Sequence, residues 1–166
     1  MDHRRLWLPH VRVHWETGEP DITREARTSS THCSAFVAAF AKQLGVYILR
    51  PPEHSPMLLA NAQMRWLTVD GGAAGWRRLA DSAAAQQSAN QGNLVVAVWE
   101  NPDRHRPGHI AFVRPGLPDA ARLAADGPDV TQAGASNALA MPLKRAFRHH
   151  PSAWPDEIRF FAHTVS

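Results

Sequence analysis

The chain of 166 residues contains a single cysteine, Cys33. An internal disulfide is therefore excluded, as are zinc sites built from several cysteines, and the redox compartment stays open. No apolar run approaches the roughly 18 residues that a membrane helix needs, so no membrane span is expected. Charge of one sign is not concentrated. The net charge is +3, and pairs such as Arg4-Arg5 and Arg77-Arg78 are too short for the basic stripe of a nucleic-acid binder. Nucleic acid is thus not an expected partner. The opening "MDHRRLWLPHVRVHW" has the positive charge of a secretory leader without the apolar segment that should follow, so no signal peptide is visible in this chain. Internal repeats and long linkers are also missing.

What is present is the composition of a globular chain, with 44% hydrophobic residues. The length suits one domain spanning residues 1–166, with an N-terminal extension over 1–28 and a core from about 30 to 165. In the extension, "HVRVHW" alternates and reads as an edge strand. Phe36, Phe40 and Leu44 then recur every four residues beside Val37 and Ala41, which predicts a helix. Ser29, Ser30 or Thr31 can cap that helix, and Gly45 suits its end. Further helices are expected over 57–67 and 76–91, the latter closed by Gly92. Strands follow at 93–99, 109–116, 128–134 and 157–165, with a short helix at 143–149 before the last. Helices first and an antiparallel sheet second is an α+β order.

Cys33 falls within the first turn of the first helix. There the unpaired N–H groups and the helix dipole favour a thiolate, the form that acts as nucleophile. It shares a stripe with Val37, Phe40 and Leu44, so it faces the body of the protein. Two readings fit: a small buried hydrophobe, or a nucleophile. A nucleophilic cysteine needs a base. Of ten histidines, His3, His10, His14, His54, His105, His149 and His150 sit in polar or proline-rich stretches and read as solvated. His32 is a helical neighbour turned about 100° away from Cys33. His109 differs, because it follows Gly108 and opens an apolar strand, "HIAFV".

Taken together, "HCSAFV" and "GHIAFV" resemble the nucleophile segment and the Gly-His strand of the NlpC/P60 and CHAP peptidoglycan hydrolases, over roughly residues 30–137. The resemblance implies a papain-like α+β fold with N-terminal helices packed on a small antiparallel sheet. It implies cysteine-dependent hydrolysis of an amide bond in the peptide part of peptidoglycan, with Cys33 as nucleophile, His109 as base and no cofactor. The family places a polar residue on the following strand to orient the imidazole. In "DVTQAGASN" the match is Gln132, with Asn137 in reserve. Such a group controls the tautomer, leaving the other ring nitrogen free to face the thiol. Many members have Asp before the cysteine, where this chain has His32. The stretch from His109 to Gln132 is also longer than usual, with "LPDAARLAAD" reading as an inserted loop. The paired-cysteine signature of papain itself is absent.

Among six tryptophans, Trp66 and Trp99 read as core, whereas Trp76 stands at a loop–helix junction and is a candidate to line a peptide or glycan groove. "DRHRPGH" offers only His105 and His109 at close spacing, too few for a metal site, and reads as a polar turn. The expected site of action is periplasmic or secreted, with peptidoglycan or a peptide as substrate. Three rival classes stand beside the hydrolase. One is a different Cys–His acyl enzyme, of transglutaminase or acyltransferase type. Another is a non-enzymatic wall-binding or interaction module on the same fold. The third is a bacterial effector toxin with a cognate inhibitor or immunity protein.

Overall fold

The computed structural model describes His14, Glu16, residues 32–134 and residues 136–165. The expected edge strand "HVRVHW" lies outside the described residues, His14 excepted.

Helix α1 (His32–Gln43) is rich in alanine and ends where Gly45, at φ 71°, bonds its N–H to the Lys42 carbonyl. Helix α2 (Leu59–Val69) follows the proline-rich loop. A 3-10 turn, Gly71–Ala74, leads to strand β1 (Arg77–Leu79) and then to α3 (Ser82–Asn90). The helix expected over 76–91 is thus a strand followed by a shorter helix. The break is at Asp81, whose carboxylate accepts from the Ala84 N–H at 2.8 Å and so starts a new helix. Before it, Arg77, Arg78 and Leu79 find an open strand edge to pair with.

The remaining elements are β2 (Leu94–Trp99), β3 (His109–Val113), α4 (Ala120–Asp126), β4 (Asp129–Gln132), β5 (Ala138–Pro142), α5 (Leu143–Ala146) and β6 (Arg159–His163). The segment expected to be an inserted loop is α4, capped by Asp119 through a 2.8 Å bond from Arg122 N–H. Among the described residues, six strands form one open, wholly antiparallel sheet in the order β1-β6-β2-β3-β4-β5. The architecture is α+β.

Strands β2 and β3 are buried along their whole length, because helices cover both faces of the sheet. On one face, α1 and α2 pack over Val96, Val98, Ile110, Phe112 and Phe161. On the other, α3 and α5 close over Val95, Ala97, Trp99, Ala111, Val113 and Val130. No helix among the described residues is long and apolar enough to cross a membrane.

Candidate active site

The loop between β2 and β3 is built from side-chain-to-backbone bonds. Asn101 accepts from the Asp103 N–H and donates to the Pro107 carbonyl, and Asp103 accepts from the His105 N–H. Buried Asn61, on α2, closes the loop from beneath. Its Oδ1 accepts from Asn101 N–H at 3.0 Å and its Nδ2 donates to the Arg106 carbonyl at 2.9 Å. Gly108 is the point of closest approach, where a Cβ would collide with the Trp99 carbonyl and Asn61 Oδ1. The chain emerges from this clamp at His109.

His109 is 8% exposed and lies opposite Trp99 in the β2–β3 register. Its Nε2 is 2.7 Å from Gln132 Oε1. The amide of Gln132 is itself oriented, since its Nε2 donates to the Ser136 carbonyl at 2.9 Å and to Ser136 Oγ at 3.2 Å. Oxygen therefore faces the ring, and only an N–H can sit opposite it. The neutral imidazole is fixed as the Nε2–H tautomer, with the lone pair on Nδ1. Asn137 has another place: its Oδ1 accepts from Gly134 N–H at 2.9 Å, across the turn that carries Ser136. The His109 ring packs edge-on to Phe147 at 4.7 Å and stacks on His150 at 5.8 Å. Burial holds its pKa down at about 4, helped by the charges of His150 and His149, while the Gln132 bond pulls the other way.

Cys33 is 2% exposed in the second position of α1. Buried Gln63 ties that first turn to its surroundings, donating to the Ser34 and Leu49 carbonyls. The backbone N–H groups of Ile110, Ser34 and Cys33 itself favour its thiolate. Burial outweighs them and pushes the pKa up to about 11. The helix start, read from sequence, favours a lowered pKa; desolvation by Ile110, Phe112, Ala133 and their neighbours reverses the sign.

Cys33 and His109 thus meet the same strand at adjacent residues, but from different faces. Cys33 clusters with Ile110, and the His109 ring packs with Phe147 beside Ala111. No hydrogen bond joins the sulfur to the imidazole among the described residues. Trp76 is buried at 3% exposure, its Nε1 donating to the Tyr47 carbonyl at 2.7 Å. It is a core anchor with no ring face turned to a groove. His150, which reads as a surface group in sequence, is partly buried between Trp99, at 4.7 Å, and His109. Its one sequence signal is its place three residues after Phe147, whose carbonyl accepts the His150 N–H. Among the described residues, no three His, Cys, Asp or Glu side chains gather as metal ligands would.

No known family model matches the chain, and no curated protein matches it.

Proposed function

We propose that the protein is a papain-like, cysteine-dependent amide hydrolase of the NlpC/P60–CHAP kind, acting on the peptides of peptidoglycan. One observation carries the reading: a buried imidazole, fixed in its Nε2–H tautomer by Gln132, at the residue next to Ile110, which shares a buried cluster with the only thiol. A buried His–Gln bond held by a second bond to Ser136 is the equipment of a positioned base.

In the proposed reaction the thiol and imidazole both start neutral, as their opposed pKa displacements require. His109 Nδ1 takes the thiol proton as sulfur attacks the carbonyl carbon. The N–H of Cys33 supports the oxyanion, and the imidazolium returns the proton to the departing amine. Water then cleaves the thioester, with His109 again as base. The reading requires the His109 ring to turn from Phe147 toward the sulfur when substrate binds, because the two side chains pack on different faces of β3.

The test is digestion of purified sacculi by the protein and by Cys33→Ala, followed by assay of new amino groups and mass analysis of released peptides. Cys33-dependent release is expected; identical traces for the two proteins would overturn the reading. A second reading, a wall-binding module without turnover, is favoured by the depth of Cys33 and the opposite-face packing of His109. It predicts retention on sacculi with no bond cut. Diversion of the acyl group to an added amine would instead mark a transferase.

A further inference from the structure

Next to the His109–Gln132 pair lies a cavity of about 290 Å³ whose wall carries cationic and donor groups and no carboxylate. It is lined by Trp99, Asn101, Arg106, Pro107, His149 and His150, closed by Pro151 and Ser152. We propose that this cavity is a carboxylate-binding subsite in which Arg106, His149 and His150 hold the anion, so that the enzyme selects amide substrates bearing a free carboxylate close to the scissile bond. The proposal rests on the hydrolase reading and deepens it by naming the substrate class.

Its walls are pinned. The Arg106 carbonyl is held by Asn61 and the Pro107 carbonyl by Asn101. On the facing wall, the His150 N–H is bonded to the Phe147 carbonyl at 2.8 Å, and the His150 ring lies against Trp99. The backbone of such a site loses little freedom on binding, and the exposed Arg106 and His149 side chains are what the anion orders.

Its electrostatics are incomplete without an anion. His150 is held below its ordinary pKa, first by burial and then by repulsion from His149 and Arg106. An anion between these groups turns mutual repulsion into shared attraction. The Arg106 guanidinium offers the planar fork that a carboxylate accepts in pairs of bonds. The cavity is too small for a large ligand and suits one terminal group. Position gives the specificity argument. The His150 ring that lines the cavity stacks on His109 at 5.8 Å, so a bound carboxylate stands one ring away from the proposed base.

The test uses Cys33→Ala protein, so that binding is read without chemistry. The ring C–H resonances of His149 and His150 are followed by NMR during titration with N-acetyl-alanyl-alanine, with its C-terminal amide, and with inorganic phosphate. Saturable shifts are expected with the free acid, weaker by about tenfold or more with the amide and by a similar factor in Arg106→Ala. Arg106→Lys, which keeps the charge and loses the fork, should fall between. Equal response to acid and amide, no response to the acid, or response to phosphate alone would each overturn the subsite. Cleavage has no part in this measurement. Carboxylate binding without any turnover by the wild type removes the hydrolase and leaves the subsite. Turnover indifferent to the carboxylate does the reverse.

Discussion

At the scale of single residues, the proposed chemistry depends on which groups are kept neutral. Gln132 holds His109 through an uncharged amide, so it sets the tautomer without lending the ring a negative neighbour. Gln132→Ala is expected to lower turnover on the order of tenfold to a hundredfold, less than Cys33→Ala, which should abolish it. Gln132→Glu keeps an acceptor and adds charge, so it should restore part of the rate and move the acid limb of the pH–rate profile upward. An unshifted limb would show that residue 132 does not act through the imidazole. Asn137→Ala should cost less than Gln132→Ala, because Asn137 braces the turn at Gly134.

The same burial makes a stability prediction. The His109 pKa is lowered from 6.5 to about 4 in the folded protein. Below pH 6.5 the unfolded chain takes up a proton that the folded one refuses, so stability falls as pH drops from 6.5 to about 4, by an amount on the order of 3 kcal/mol. Urea midpoints for wild type and His109→Gln should therefore diverge at neutral pH and converge toward pH 4; parallel curves would refute the buried neutral imidazole. Cys33 has the mirror behaviour, its folded state losing ground as pH rises from 9.0 to about 11. Neither value is legible at the residue itself. The cluster that buries Cys33 draws in Ile110, Phe112 and Ala133, far along the chain, whereas the helix start that argues for a low pKa is local.

Among the elements, what was legible follows local pattern. The four-residue recurrence from Phe36, the positive-φ stop at Gly45 and the apolar runs of β2 and β3 all carry their own signal, and the structure has α1 and the strands β2 and β3 where expected. The missed strands are those whose reason lies elsewhere. Arg77–Leu79 is three residues long and becomes β1 only because β6, some eighty residues later, offers an edge. Strand β5 is partly exposed, starts just past the Gly134–Asn137 turn, and pairs with β4 across a register shift. The clamp beneath His109 was equally hidden, since Asn61 reaches it from α2. It makes a sharp prediction. Asn61→Ala strands the Asn101 N–H and the Arg106 carbonyl, at about 1–3 kcal/mol for each group left buried. Gly108→Ala is worse, because backbone and the Asn61 amide must move to admit a methyl group. In thermal melts both variants should lose stability in that order, with a nearly normal Tm for Gly108→Ala excluding the clamp.

For the whole molecule, the key strand is β6. It lies between β1 and β2, so the sheet is completed by a segment late in the chain. Its side chains serve both cores: Phe161 packs with Val96, Val98 and Ile110 beneath α1 and α2, while Phe160 packs with Val95, Ala97 and Ile158 on the α3 side. Both rings are almost fully buried, at 2% and 5% exposure. Removing either leaves a cavity, and Phe161→Ala and Phe160→Ala should each cost about 3–5 kcal/mol. Because the two rings point to opposite faces and share no partners, the losses should be close to additive. The double variant then loses about 6–10 kcal/mol, comparable with the 5–15 kcal/mol that holds a domain of this kind together. It should be unfolded at 25 °C by far-ultraviolet circular dichroism, while each single variant still melts in one cooperative transition. A double variant scarcely less stable than either single one would mean that the two faces are not joined through β6 as the register requires.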